Sequence, residues 1–234
     1  MKVAVVVFPG TNCEHDVVHA LDLIGLEPEL VFHRETDLTG FDAVVLPGGF
    51  AHGDYLRTGA IARFSPIMGA VTAMAATGAP VIGICNGFQV LCEAGLLPGA
   101  LVANRDLAFI CRPVHLRVET SRSALTTGAA SGDVLRIPLN SYEGNYVASP
   151  ETIRDLEAHD QILLRYCDAS GNTSGDANPN GSIGNIAGVC NTAGNVAGLM
   201  PHPERAVETV LGSTDGIGLL RSIPAFADLV ANHR

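Results

Sequence analysis

Short apolar runs rich in β-branched residues alternate with stretches of helical period through the first half of the chain. The runs cover residues 3–8, 30–32, 43–47 and 80–84. Apolar throughout rather than alternating, they suit strands of a parallel sheet covered on both faces. After the first run Pro9-Gly10 turns the chain, and Thr11 and Glu14 have the spacing of a capping box. Val17, Val18, Leu21 and Ile24 then share one helical face. Residues 60–76, rich in alanine, predict a second helix closed by Gly78. A third, carrying Phe88, Val90, Leu91 and Leu96, follows Cys85. Beyond residue 105 the rhythm changes, and segments 107–119, 134–139, 144–148, 161–167, 185–190 and 195–200 predict strands with little helix between them. The polar, Gly/Asn-rich stretch 168–182 predicts a surface loop, or a segment disordered in isolation, and 215–232 a closing helix. The fold expected is α/β: a doubly wound, mostly parallel sheet extended by antiparallel strands in the C-terminal half. No repeat or Pro/Ser-rich linker interrupts the pattern, so residues 1–234 read as a single domain.

Composition narrows the function. Apolar residues make up 47% of the chain and charged residues 16%, which leaves few side chains to cover a solvated surface and hints that part of it meets another protein. A net charge of −10 argues against nucleic acid, whose binding rests on cations that neutralise phosphates, and disfavours an anionic membrane. No apolar run reaches the roughly 18 residues of a bilayer span, and the start lacks the pattern of a signal peptide. The six cysteines form no CxxC pair, so reduced thiols in a cytoplasmic protein are expected. Cys13, His15 and His19 match no standard zinc spacing, and no metal site is expected. Nothing in the sequence gives a role to Cys13, Cys111, Cys167 or Cys190.

Three pieces carry chemistry. Gly83-Ile84-Cys85-Asn86-Gly87, at a strand-to-helix junction, is G-x-C-x-G, the thiol counterpart of the serine nucleophile elbow. A Cβ at either glycine would collide where strand and helix cross. The positive end of the following helix favours a thiolate at Cys85, whereas an unperturbed thiol with a pKa of about 8.5 is only a few per cent ionised at pH 7. Five residues alone fit a buried structural cysteine equally well. Leu46-Pro47-Gly48-Gly49-Phe50 ends the third predicted strand. Acyl transfer passes through an oxyanion that needs preorganised N–H donors; Gly49 or Phe50 offers one and Asn86 another, although an ordinary turn has the same sequence. In Met200-Pro201-His202-Pro203-Glu204-Arg205, residues before proline are driven toward extended geometry, so His202 and Glu204 are expected on one side of an extended segment. There His202 serves as base and acid and Glu204 orients it. All three pieces fall at strand ends, where α/β sheets bind their ligands.

PGGF, GICNGFQ and PHPE resemble the three signatures of the class I, triad-type glutamine amidotransferases. Phe8 to Cys13 (FPGTNC), His52 to Arg57 (HGDYLR) and Asn178 to Ser182 (NPNGS) are similar to one branch of that family, the glutaminase subunits of a purine-biosynthesis synthase; general amidotransferases lack GDYLR and NPNGS. These blocks run from residue 4 to about residue 206. The resemblance implies the class I amidotransferase fold, with Cys85 attacking L-glutamine to form a thioester and His202 and Glu204 completing the triad. It also implies that Gly49 and Phe50 line the oxyanion and glutamine site, and that Gln89 holds the bound glutamine. Ammonia would pass to a large ATP-dependent synthase subunit, accompanied by a small third subunit. ATP and Mg²⁺ are expected on that partner and no cofactor on this chain, which has no G-x-x-x-x-G-K-[ST] loop. One departure stands out: the family often has Ala-His-Gly-Glu-Gly where this chain has Asn140-Ser141-Tyr142-Glu143-Gly144, so Tyr142 is expected to bear on the glutamine pocket or the partner surface.

Two other classes share part of this pattern. A cysteine hydrolase of peptidase type shares the elbow and the sheet, but is not expected to carry PHPE and NPNGS together. A non-catalytic module that keeps the fold would be expected to have lost Cys85, His202 or Glu204, and all three are present.

Overall fold

The computed structural model describes residues 1–232. Strands β1 (Lys2–Val7), β2 (Glu27–Phe32), β3 (Ala43–Leu46) and β4 (Val81–Ile84) form the parallel part of a nine-stranded sheet. The helices between them are α1 (Glu14–Leu23), α2 (Ile67–Ala76) and, after β4, α3 (Asn86–Glu93). The second half adds β6 (Ile110–Val118), β7 (Val134–Ser141), β9 (Ile162–Cys167), β10 (Ile186–Cys190) and β11 (Val196–Leu199). The sheet order is β2-β1-β3-β4-β11-β10-β9-β6-β7. β11 runs parallel to β4, whereas β10, β9, β6 and β7 pair antiparallel, as the change of rhythm past residue 105 foretold.

The core sits where the apolar runs lie. Val3 to Val6, all of β3 and Val81, Ile82 and Ile84 are buried, and Phe88, Val90 and Leu91 of α3 close over β3, β4 and β11. Burying each such side chain contributes about 1.5–3 kcal/mol.

Several expectations change. The capping box does not form: α1 begins at Glu14 with Cys13 as its N-cap, and the Thr11 hydroxyl instead accepts the Phe8 N–H at 3.0 Å. The Cys13 N–H goes to the Gly48 carbonyl at 3.2 Å, which ties the 8–13 turn to the end of β3. The helix expected over 60–76 is split by Ser65-Pro66 into a short 3-10 turn, Ala62–Phe64, and α2. A helix is also added, α4 (Pro150–Ala158), capped by Ser149, whose hydroxyl accepts the Thr152 N–H. β8 (Asn145–Val147) leaves the main sheet to pair with β5 (Ala100–Val102). Stretch 168–182 is not all surface loop. Asn180 is fully buried and its amide donates to the Gly144 carbonyl at 2.7 Å and the Tyr166 hydroxyl at 3.2 Å. α5 (Gly216–Asn232) closes the chain as expected.

Candidate active site

β3, β4 and β11 are neighbours in the sheet and parallel, so their C-terminal ends lie side by side. These ends supply Gly48-Gly49, Cys85 and the segment leading to His202. Cys85 has φ 51° and ψ −106°, a conformation that non-glycine residues adopt only under constraint. The constraint comes from its flanks: its own N–H donates to the Leu199 carbonyl at 2.8 Å, and both elbow glycines are irreplaceable. A Cβ on Gly87 would lie 1.9 Å from the Leu46 oxygen, and one on Gly83 2.7 Å from the Gly87 backbone.

His202 and Glu204 meet as expected, by a different route. Pro203–Arg205 is a single 3-10 turn rather than extended chain. The turn still brings Glu204 Oε1 within 2.6 Å of His202 Nδ1, with both side chains buried. His202 Nε2 has no hydrogen-bond partner among the described residues. Burial pulls the His202 pKa down, but the Glu204 charge, seconded by the Cys85 and Cys13 thiols, overrides it and raises the pKa well above the ordinary imidazole value. Glycine at 48 is what lets the imidazole approach: a Cβ there would stand 2.8 Å from His202 Cε1 and 3.4 Å from Cys85 Cβ. The Cys85 side chain and the His202 imidazole thus converge over one backbone position, with the Glu204 carboxylate on the other ring nitrogen.

Of the two donors weighed at the Gly-Gly turn, Phe50 is already engaged, its N–H donating to the Gly10 carbonyl at 2.8 Å. Phe50 instead contributes to the cavity wall. The Gly49 N–H has no partner among the described residues, and neither does the Asn86 N–H at the start of α3. The Asn86 side chain is fully committed: Oδ1 accepts the Ala51 N–H at 3.0 Å, and Nδ2 donates to Gln89 Oε1 at 2.9 Å and Asp54 Oδ1 at 3.2 Å. Gln89 Nε2 reaches the Glu143 carbonyl at 2.5 Å.

These groups open on a cavity of about 610 Å³. Phe50, Cys85, Gln89 and His202, all expected there, line it; so do Cys13, Asp54, Ser141, Tyr142 and Glu143. Tyr142 stands half-exposed at the rim. Behind the 140–144 wall lies a polar brace. Asn104 donates to the Ser141 carbonyl and accepts from the Gly144 N–H, while Asn180 and Ser182 hold the Gly144 carbonyl. This brace is the physical use of NPNGS.

Cys13 had no role assigned from sequence. Its thiol, His202 and Glu204 have ligand atoms within 4.8 Å of one another, and Arg205 Nη2 donates to the thiol at 3.3 Å. His15 and His19 do not join it; His19 pairs with Glu208. A metal there would compete with the Glu204–His202 hydrogen bond for the same ring. Only the packing of the 8–13 turn against β3 brings Cys13 to His202 and Glu204, so no local pattern signals it. No helix among the described residues is long and apolar enough to cross a membrane.

Comparison with known proteins agrees with this geometry. Residues 1–216 match the CobB/CobQ-like glutamine amidotransferase domain. A phosphoribosylformylglycinamidine synthase subunit PurQ of Rubrobacter xylanophilus is 53% identical over 97% of this chain and 99% of its own. The subunit of that name from Nitrobacter hamburgensis is 55% identical over 99% of this chain and 98% of its own. In a solved structure of PurLQS from Thermotoga maritima, one chain is 41% identical and superimposes with a TM-score of 0.85, covering 96% of this chain and 98% of that one. A putative GMP synthase subunit of Thermoplasma acidophilum, 17% identical with a TM-score of 0.65 over 100% of this chain and 96% of its own, shares the fold. The chain belongs to the PurQ family of phosphoribosylformylglycinamidine synthase subunits, within the glutamine amidotransferases.

Proposed function

We propose that this chain is a glutaminase subunit in which Cys85, His202 and Glu204 hydrolyse L-glutamine and the ammonia passes to a synthase partner. The observation that carries the reading is the buried His202–Glu204 pair, 2.6 Å apart, converging with Cys85 over Gly48. The Cys85 thiolate attacks the side-chain carbonyl carbon of glutamine. The oxyanion forms toward the Gly49 and Asn86 N–H groups, whose lack of other partners supports this role. The carbon–nitrogen bond then breaks as His202 gives its proton to the departing ammonia, leaving a γ-glutamyl thioester on Cys85. Water attacks the thioester, His202 takes the water's proton, and glutamate leaves. Gln89 keeps the cavity in shape through Asn86 and Glu143 and faces the bound substrate.

The partner is a large ATP-dependent synthase subunit, joined by a small third subunit, as the PurLQS assembly of the relative suggests. With the ammonia it converts formylglycinamide ribonucleotide to formylglycinamidine ribonucleotide in purine biosynthesis. ATP and Mg²⁺ belong to that partner. The exposed Tyr55, Leu56 and Phe64 beside the cavity offer it an apolar face. Residues 1–234 act as one domain working in the cytoplasm; the single large sheet drawn from both halves of the chain supports that reading. The test is to assay the purified chain for glutamate release with and without the synthase subunits: activity requiring Cys85 is expected, and none under either condition refutes the reading.

A further inference from the structure

The cavity wall carries two carboxylates that the hydrolytic steps leave unused, Asp54 and Glu143. Asp54 belongs to a turn whose backbone is left-handed at three non-glycine residues, with φ 55° at His52, 52° at Asp54 and 73° at Leu56. Such residues cost energy to hold and persist where a specific side chain must be presented. The carboxylate accepts from Asn86 Nδ2 at 3.2 Å, which fixes its direction. Among the described residues no Lys, Arg or His pairs with Asp54 or Glu143. Burial, opposed by the Asn86 hydrogen bond and reinforced by the charge of Glu143, pushes the Asp54 pKa up to about 6. The protein therefore keeps an unneutralised acidic pair in the cavity, one side chain away from the residue that follows the nucleophile. A third group points to a ligand: Ser141, 4% exposed and lining the same cavity, has a buried hydroxyl with no partner.

We propose that Asp54, with Glu143 beside it, binds the α-ammonium group of the substrate and so selects α-amino acid amides over simple amides. This inference rests on the glutaminase reading and adds the recognition of the substrate's charged end. A cation between the two carboxylates relieves their repulsion and replaces the water each loses on burial. Asp54 acts on binding rather than on the bond that breaks, so its loss weakens glutamine specifically.

The experiment compares two substrates in the assembled complex: glutamine, and 5-amino-5-oxopentanoate, which is glutamine without its α-amino group. In the wild-type complex glutamine is strongly preferred. In Asp54→Asn the glutamine-to-analogue ratio of kcat/KM is expected to fall roughly tenfold to a hundredfold, the value of one charge-assisted hydrogen bond, with most of the change in the KM for glutamine. An unchanged ratio, even alongside lower rates on both substrates, overturns the proposal. A wild-type complex that hydrolyses neither substrate refutes the glutaminase reading itself, which is a different result. A second measurement guards against a merely structural role. With its folded pKa raised, the Asp54 carboxylate costs stability above pH 6, so Asp54→Asn is expected to raise Tm at pH 8 and leave it unchanged near pH 3. A Tm that falls at pH 8 marks Asp54 as structural and overturns the proposal.

Discussion

Asn86 Nδ2 donates to Asp54 Oδ1 across 3.2 Å, so the residue after Cys85 is tied directly to the turn at the cavity mouth. The same side chain holds the Ala51 N–H, and Ala51 lies two residues after Gly49. Whatever displaces the 51–57 turn is therefore felt at the oxyanion donors.

Gating follows from this linkage. Tyr55 is 73% and Leu56 91% exposed, and the backbone around them is left-handed, so the isolated subunit holds this turn with little packing support. Gly49, at φ 152°, tolerates either sense of the Gly48–Gly49 peptide, and a flip that withdraws its N–H releases the Asn12 and Cys13 N–H groups from the Gly48 carbonyl. Loss of one oxyanion donor typically lowers turnover by about 10²–10³. A partner surface that binds the donor-in conformer more tightly raises its population. The kcat for glutamine hydrolysis is expected to be lower in the free subunit than in the substrate-loaded complex by a factor of that order. Equal values would remove the gating account and leave the triad untouched.

Selective alkylation is the second expectation. A glutamine-like diazo-ketone should modify Cys85 ahead of the other five thiols. Burial pushes the Cys167 and Cys190 thiols up to about 11 and Cys92 higher still, so little thiolate exists at those positions near neutral pH. The informative competitor is Cys111, which is exposed and pairs across the sheet with Asn140 of the cavity wall without lining the cavity itself. Peptide mapping after partial inactivation should find the adduct at Cys85, with loss of activity in proportion. Comparable labelling at Cys111 would show that exposure, and not the site, governs reactivity.

The His202–Glu204 pair gives a pH-dependent prediction. Because the folded chain holds the His202 proton more tightly than the unfolded chain, the pair's contribution to stability is fully present below about pH 6.5 and fades as pH rises through the raised folded value. In Glu204→Gln the largest raising influence is gone, so the His202 titration followed by NMR should move to lower pH. The imidazolium also loses the negative charge that stabilises it, and turnover should fall by roughly 10² or more. A variant with wild-type turnover and an unmoved titration would contradict the role given to Glu204.

Much of this was legible because it is local. The elbow at Gly83–Gly87 is a steric pattern, and each parallel strand is a run that only a doubly covered sheet tolerates. The segment 203–205 was legible in outcome but not in conformation. Its 3-10 turn depends on contacts the proline rule does not include. Cys13 and Asp54 were not legible as site residues, since each reaches the cavity through a neighbour distant in sequence: Cys13 through β3, Asp54 through Asn86. Asn180 misled because a Gly/Asn-rich stretch reads as solvated, whereas its amide is buried to satisfy Gly144 and Tyr166. The helix at Pro150–Ala158 was the avoidable miss, as Ser149-Pro150 is a start signal in plain view.

The central claim is that Cys85 is the nucleophile of a glutaminase feeding a separate synthase site. The most direct measurement gives the assembled Cys85→Ala complex either glutamine or a high concentration of ammonia at raised pH, and follows formation of the amidine product. The account predicts that glutamine-dependent synthesis disappears while ammonia-dependent synthesis stays near the wild-type rate. Substantial glutamine-dependent synthesis by Cys85→Ala would contradict it.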